Sequence, residues 1–177
     1  MTRLVVAHTG QLSPADLTAC RTLFDNVFGP GPTDQDWDHS LGGMHALVWD
    51  GDELVGEGSL VQRRLLHGGR ALRAGCVEGV AVRPDRRREG HGATVMEALE
   101  ELARNAYEVG MLSATEAGGA LYSARGWHPF RGTTSALTPE GVVRTPDEDD
   151  GVFLLPCSAS IDLDGALTCD WRDGDVW

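Results

Sequence analysis

Apolar side chains recur at every third or fourth position between residues 92 and 108, while charged residues occupy the opposite side. This spacing places the apolar residues on one face of a helix. They are Val95, Met96, Leu99, Leu102, Ala103 and Ala106. The pattern predicts an amphipathic helix from Gly92 to about Glu108, which Gly110 is expected to close.

The N-terminal part of the chain predicts a strand and two helical segments. The strand covers the apolar run 4–7. Ser13-Pro14 then supplies an N-cap and a first helical residue for a helix that ends at about Phe28. Thr33 resembles the cap of a shorter helical segment over residues 34–39.

The next segment predicts three antiparallel strands joined by tight turns. Two of them cover roughly residues 45–49 and 53–65, and Asp50-Gly51 is the hairpin signal between them. A second turn at residues 67–69 leads into a run of β-branched and small residues. That third strand must stop at Pro84.

Shorter elements follow the amphipathic helix. "MLSA" predicts a buried strand, and "EAGGALYSARG" predicts a helix that ends at Gly126. "WHPF" and "VFLLP" predict two more strands, separated by the polar stretch 139–150. No repeat or linker divides the 177 residues, so we expect one domain over residues 1–177.

The net charge of −12 argues against non-specific nucleic-acid binding, which needs an excess of Lys and Arg. An acidic surface favours cationic partners, although it also serves solubility alone. The carboxylates concentrate in "TDQDWDH", "TPDEDDG" and "DWRDGDVW". A cationic ligand would use such groups for charge-assisted hydrogen bonds. Each run is also compatible with a solvated loop, which is the preferred interpretation for "DEDD".

The four cysteines form no CxxC pair and have no metal-ligand spacing, so we expect them to be reduced and buried, with no metal bound. The N-terminus has no long apolar segment, and no window approaches the ~18 apolar residues of a membrane span. These observations predict a cytoplasmic protein without a membrane partner.

The stretch "RPDRRREGHG" lies where a strand ends and the amphipathic helix begins. Arg87, Gly90 and Gly92 have the spacing Arg-x-x-Gly-x-Gly. Unpaired amides at a helix N-terminus bind phosphate oxygens, and glycine lets a ligand approach the backbone. The alternative is a glycine-containing helix start with solvated arginines. A P-loop and a Rossmann turn are excluded, because neither Gly-Lys-Ser/Thr nor a parallel βαβ unit is present.

The order of these elements resembles the GCN5-related N-acetyltransferase (GNAT) superfamily, in which this motif holds the pyrophosphate of acetyl-coenzyme A. "TDQDWDHSLGGMHALVW", "CVEGVAVR", "LYSARGW" and "CDWRDGDVW" together resemble its aminoglycoside 2′-N-acetyltransferase family. The resemblance runs from about residue 24 to residue 177. It implies an α+β fold, with a central, mostly antiparallel mixed sheet flanked by helices, and a homodimer.

The resemblance also implies a set of functional residues. Acetyl-coenzyme A would be bound by Val80, Val82, Arg87, Arg88, Gly90, His91, Gly92 and Ala93. The amine substrate would be bound by Asp36, Glu78, Gly79, Ser113, Glu148, Asp175 and the carboxylate of Trp177. The catalytic residues would be Glu78 as a water-mediated base, Val80 through its backbone, and Tyr122 as the acid at sulfur.

The chemistry of acetyl transfer fits these residue types. An alkyl ammonium must lose a proton before it attacks, and a carboxylate such as Glu78 accepts one. A backbone N–H near Gly79 stabilises a developing oxyanion, and Val80 is the candidate. A tyrosine protonates a leaving thiolate. Without the resemblance, a solvent-facing strand position is the preferred interpretation for Glu78, and Tyr122 is equally compatible with a half-buried packing residue.

The C-terminal segment contains Trp171 and Trp177, which predict a tail that packs back on the protein. Two departures from the family pattern concern the amine substrate. "GPGP" stands where the family has an additional acidic residue, so one amine contact is either lost or taken over by Asp34, and Glu148 stands where the family tends to have Asp. Two other functions fit the same sequence: acetylation of a polyamine, an aminosugar metabolite or a protein amine, and non-catalytic sensing of acyl-coenzyme A.

Overall fold

The computed structural model describes residues 1–30, 34–114 and 116–177. The helices of this part are α1 (Pro14–Phe28), α2 (Asp34–Asp38), α3 (His91–Ala106) and α4 (Glu116–Ala124). Its strands are β1 (Thr2–His8), β2 (Met44–Asp50), β3 (Glu53–His67), β4 (Arg70–Val82), β5 (Val109–Ser113), β6 (His128–Pro129), β7 (Thr133–Thr138), β8 (Gly141–Arg144), β9 (Val152–Pro156) and β10 (Ala166–Cys169).

The chain forms two compact units, and strands β3 and β4 contribute to both. The first unit, called the N-terminal unit here, comprises residues 1–61 and 77–102. In it, β2 pairs antiparallel with β1 and with the first part of β3. A capping box between Ser13 and Asp16 begins α1, with Asp16 N–H donating to Ser13 Oγ at 3.1 Å. Its apolar core contains Cys20, Leu23, Leu47, Leu54 and Ala81.

The second unit, called the C-terminal unit here, comprises residues 62–76 and 103–177. Its strand order is β6-β9-β5-β4-β3-β10-β7-β8. β5 is parallel to β4, β10 is parallel to β7, and the pairs β5–β9, β3–β10 and β7–β8 are antiparallel. The core contains Leu65, Leu72, Ala74, Cys76, Val109, Met111, Phe130, Ala136, Val152, Leu154, Leu167, Cys169 and Trp177.

Most predicted elements are confirmed. The first helix ends at Phe28 as expected, and the three central strands end and begin at the two predicted turns. Residues 34–38 form the short helix, whereas its predicted cap, Thr33, lies outside the described residues. The expectation of one domain over residues 1–177 stays a prediction.

The prediction that Gly110 closes the long helix is wrong. The helix ends at Ala106, and the N–H of Glu108 already donates to the carbonyl of Arg73 in β4 at 2.9 Å. Gly110 is buried in β5 and pairs with Leu155 of β9. Strand pairing therefore begins sooner than the apolar pattern indicated.

Three strands were not predicted: β7, β8 and β10. The four cysteines are free thiols. Cys20, Cys76 and Cys169 are buried as expected, whereas Cys157 is only half-buried. Of the helices that the structure describes, none combines the length and the hydropathy that a membrane span needs.

Candidate active site

The residues singled out from the sequence fall in both units. The N-terminal unit holds the arginine and glycine turn with Asp36, Glu78, Gly79, Val80 and Val82. The C-terminal unit holds Ser113, Tyr122, Glu148, Asp175 and Trp177.

The turn between β4 and α3 has a backbone shape suited to an anion. Arg88 has a φ of 64° and Gly90 a φ of 90°, so both lie in the left-handed region. Such residues let successive amide groups converge on one point. The first bond inside α3 runs from the N–H of Thr94 to the carbonyl of Gly90 at 3.0 Å. The amides of residues 91–93 therefore have no partner within the helix.

Four arginines belong to this turn, and two of them are engaged. Arg83 and Arg86 each form ion pairs with two carboxylates. Arg87 and Arg88 are exposed and pair with no residue that the structure describes. These two guanidinium groups are available to an anion at the start of α3, as predicted for a pyrophosphate site.

The first turn of α3 offers its backbone rather than a side chain. The ring of His91 is buried, with its Nε2 3.3 Å from a carboxylate oxygen of Glu89. A Cβ placed on Gly92 would lie 3.4 Å from Cγ2 of Val82, so this valine packs against the helix start. Ala93 is exposed beside them.

Strand β4 is irregular at Gly79, which has a φ of 62° that glycine adopts readily. A Cβ at this position would lie 2.9 Å from Oγ of Ser40 and 3.3 Å from the ring of Phe24. Glu78 and Val80, on either side, are half-buried. The backbone of β4 is therefore irregular next to Val80, whose role as a backbone donor stays a prediction.

A small cavity beside Glu78 contains a buried acid that the sequence did not single out. Three buried oxygen atoms in this cavity form no hydrogen bond with any residue that the structure describes: Ser40 Oγ, Glu57 Oε1 and Ser59 Oγ. Burial raises the pKa of Glu57 to about 8, although a hydrogen bond with Cys20 lowers it. Glu57 is therefore a neutral carboxylic acid at pH 7. The lining residues are Trp37, Ser40, His45, Glu57, Gly58, Ser59, Glu78 and Gly79.

The two acidic residues of α2 differ in their surroundings. Asp36 is half-buried, whereas Asp34 is exposed and forms a 2.9 Å ion pair with Arg21. Because Asp34 already pairs with a cation, it is poorly suited to replace the acidic residue that the family pattern has at "GPGP". Gly31 and Pro32 of that motif lie outside the described residues.

Tyr122 lies on α4 and is half-buried. Its ring centroid is 6.4 Å from that of Trp127 and 6.1 Å from that of Phe153. Burial raises the pKa of its hydroxyl. Tyr122 therefore keeps its proton at neutral pH, as a general acid must, and its ring also packs, as the alternative predicted.

Three predicted substrate residues come together in the C-terminal unit. A Cβ at Gly151 would lie 3.4 Å from Oγ of Ser113 and 3.7 Å from Oε2 of Glu148, so these groups flank Gly151. Burial, followed by the negative charges of Asp175 and Asp147, raises the pKa of Glu148. The mutual repulsion of these carboxylates would be relieved by a cation.

The interpretation of "DEDD" as a solvated loop is wrong for Asp149. Its Oδ1 accepts hydrogen bonds from the N–H and the hydroxyl of Thr134 at 2.7 and 2.8 Å, and its Oδ2 pairs with Arg144 at 2.7 Å. The Arg144 guanidinium lowers the pKa of Asp149. This residue ties the loop to β7 because its carboxylate has several local donors.

The C-terminal tail packs back through one tryptophan, not two. The Trp177 side chain is 3% exposed, and its Nε1 donates to Oγ1 of Thr145 at 2.9 Å. The Trp177 N–H donates to Oδ1 of Asp175 at 3.1 Å, which fixes that carboxylate next to the last residue. Trp171 is 47% exposed, so its expected role as an anchor is wrong.

Comparison with known proteins identifies the family. A model described as "Acetyltransferase (GNAT) domain" matches residues 9–130. The chain is 45% identical over 176 residues to an aminoglycoside 2′-N-acetyltransferase of Mycolicibacterium fortuitum, covering 97% of this chain and 90% of that protein. The chain belongs to the aminoglycoside 2′-N-acetyltransferase family.

Solved structures agree on the fold of this family. ElaA of Escherichia coli has a TM-score of 0.65 at 20% identity, covering 88% of this chain and 99% of that chain. An acyl-CoA N-acyltransferase from Pseudomonas aeruginosa has a TM-score of 0.64 at 17% identity, covering 88% and 99%. The predicted α+β GNAT fold is therefore confirmed, and the chain is a GNAT-type acetyltransferase.

No group of three His, Cys, Asp or Glu side chains within residues 1–30, 34–114 and 116–177 is arranged to hold a metal ion. The expectation of a reaction without metal stays a prediction. The individual roles of the site residues also stay predictions.

Replacing Gly92 with aspartate is expected to weaken acetyl-coenzyme A binding at least tenfold, or by about 1.4 kcal/mol. The substitution adds a negative charge where the amides of α3 face an anion. Calorimetric titration measures the affinity. Gly92→Ala is the matched control, because its Cβ meets only Val82, at 3.4 Å. Equal affinities of folded Asp and Ala variants would remove the turn from the cosubstrate site.

Proposed function

We propose that the chain transfers the acetyl group of acetyl-coenzyme A to the 2′-amine of aminoglycosides. The observation that carries this proposal is that Glu148 and Ser113 flank Gly151 while Trp177 ties Asp175 to Thr145 of the same loop, in a chain 45% identical to an aminoglycoside 2′-N-acetyltransferase. Aminoglycosides are polycations, and paired carboxylates with a hydroxyl suit ammonium groups. Acetyl-coenzyme A, when bound, supplies the activated acetyl thioester.

The cosubstrate would be held by the backbone of residues 90–93 and by the guanidinium groups of Arg87 and Arg88. These amides have no partner within α3, and both arginines are exposed. Backbone groups of Val80 and Val82 would bind the acetyl carbonyl and the pantetheine arm. Gly79, which directly precedes Val80 in β4, has a left-handed φ of 62°, so the backbone departs from regular strand geometry there.

Glu78 would accept the proton of the substrate ammonium through a water molecule. Its half-buried position is compatible with both solvent exchange and contact with a ligand. Tyr122 would protonate the thiolate of coenzyme A, since burial raises the pKa of its hydroxyl and the hydroxyl therefore carries its proton at neutral pH. Asp36, Gly79 and the carboxylate of Trp177 would complete the amine contacts.

Two kanamycins test this function, because kanamycin B has an amine at the 2′ position and kanamycin A has a hydroxyl there. We expect turnover with kanamycin B, measured as release of free thiol, and at least a hundredfold lower kcat/KM with kanamycin A. Mass spectrometry and NMR of the product locate the acetyl group. Comparable rates for the two would point to another amine.

Two other functions give different results in the same assay. Turnover of spermidine or a peptide amine, but not of kanamycin B, would favour a different acceptor. Binding of acetyl-coenzyme A without turnover of any amine would favour a sensor. We further propose a cytoplasmic homodimer from the family resemblance, which sedimentation at several concentrations would test.

A further inference from the structure

Arg63 is a buried arginine in β3 that lies outside the predicted set of site residues. Its side chain is 4% exposed. Each of its three nitrogen atoms donates a hydrogen bond: Nε to Oδ1 of Asp170 at 2.7 Å, Nη2 to the carbonyl of Asp170 at 2.8 Å, and Nη1 to the carbonyl of Val176 at 2.7 Å. All three acceptors belong to the C-terminal tail.

These bonds close residues 170–176 into a loop. The loop begins beside β3, where Asp170 also exchanges hydrogen bonds with the backbone of Arg64 at 3.1 and 3.2 Å. It ends at Val176, one residue after Asp175. Inside the loop, Arg172 donates to the carbonyl of Asp175 and to the terminal carboxylate of Trp177, each at 2.8 Å. The position of Asp175 therefore depends on the hydrogen bonds of Arg63 to both ends of the loop, Asp170 and Val176.

Stability alone does not explain a buried guanidinium here. Desolvation of the Arg63 guanidinium offsets much of its attraction to Asp170, whose side chain is 40% exposed, and apolar replacements of buried ion pairs often leave stability unchanged. The indole of Trp177 already anchors the tail in the apolar core. Arginine instead fixes the directions of the hydrogen bonds, because its planar guanidinium donates to three acceptors at once. A lysine ammonium does not reproduce this arrangement.

We propose that Arg63 is a positioning residue for the amine substrate, holding the 170–176 loop so that Asp175 lies beside Glu148. The inference deepens the proposed function, since it rests on these carboxylates binding ammonium groups. Hydrogen bonds connect the two residues: the N–H of Trp177 donates to Asp175 and its indole to Thr145, whose carbonyl accepts from the N–H of Glu148 at 3.0 Å. Arg63 would not touch the substrate; it would act through the tail.

The double variant Arg63→Met/Asp170→Asn tests this role, because it removes the ion pair without leaving a buried charge unpaired. We expect KM for kanamycin B to rise roughly tenfold or more, the effect of one lost charge-assisted hydrogen bond. The affinity for acetyl-coenzyme A should stay within a few fold. Arg63→Lys should raise KM similarly, because charge is kept and geometry is lost. The matched control is Arg131→Met/Asp164→Asn, which removes an exposed pair from the same unit.

A second measurement does not depend on turnover. Carboxypeptidase digestion of the 177-residue chain, followed by mass spectrometry, should release terminal residues much faster from the Arg63 variants than from the control. An unchanged KM, or equal digestion rates, would overturn the inference. Failure of the unmodified protein to acetylate kanamycin B would overturn the proposed function instead, and with it any role of Arg63 toward that substrate.

Discussion

Tyr122→Phe is expected to lower kcat by roughly 10² to 10⁴ while leaving the melting temperature nearly unchanged. The substitution removes only the hydroxyl, so the ring keeps its packing against Trp127 and Phe153. The loss should appear in kcat more than in the KM of either substrate, because the proton is needed only when the thiolate leaves. Steady-state kinetics with kanamycin B measures both constants.

Tyr107→Phe is the matched control, since Tyr107 is the only other tyrosine in the chain. Glu78→Gln provides the complementary test of the base and should flatten the acidic limb of the kcat/KM profile. If both Tyr122→Phe and Glu78→Gln react at the unmodified rate, neither side chain transfers a proton. Catalysis would then depend on positioning and on backbone donors.

Glu57→Gln is expected to stabilise the protein at neutral pH, by about 3 kcal/mol at pH 7. Burial raises the pKa of Glu57 from 4.5 to about 8. Because the folded-state pKa is the higher one, the stabilisation from its proton is complete below pH 4.5 and is lost as the pH rises toward 8. The amide is neutral throughout, so the advantage of the variant should grow over this interval and then level off.

Thermal unfolding between pH 4 and pH 9 measures this difference, and the rise in melting temperature at pH 7 should be roughly 6 to 12 °C. Glu97→Gln makes the same chemical change on the exposed side of α3 and should have little effect. A stability difference that does not vary with pH would mean that Glu57 is not protonated by burial.

The elements that the sequence predicted well are those whose signals are local. The Ser13 cap, the apolar face of α3 and the glycine turns each lie within a few residues, and the structure places them where expected. β7, β8 and β10 were missed because they are short and partly polar. Partners distant in the chain, such as β3 and β7 for β10, fix the position of a strand like this.

The candidate site shows the same division. The arginine and glycine turn was identified from its spacing, and the structure places two left-handed residues in it, Arg88 and Gly90, while its role in binding stays a prediction. Glu57 and Arg63 could not be identified, because the sequence does not show which charged residues tertiary packing will bury. The prediction that Gly110 closes α3 failed for a related reason, because the position of Gly110 in β5 depends on pairing with β9, which is distant in the sequence.

The place of β10 has a consequence for how this protein is made in the cell. β10 is the last strand in the chain, yet it lies between β3 and β7 and pairs with both. While residues 166–169 of a nascent chain are still inside the ribosome, the edges of β3 and β7 that pair with β10 have unpaired backbone N–H and C=O groups. Synthesis of residues 139–169 alone takes roughly 2 to 6 seconds at about 5 to 20 residues per second, and β10 cannot join β3 to β7 before it is complete. A chaperone that protects these strands until β10 is available would therefore raise the yield of folded protein.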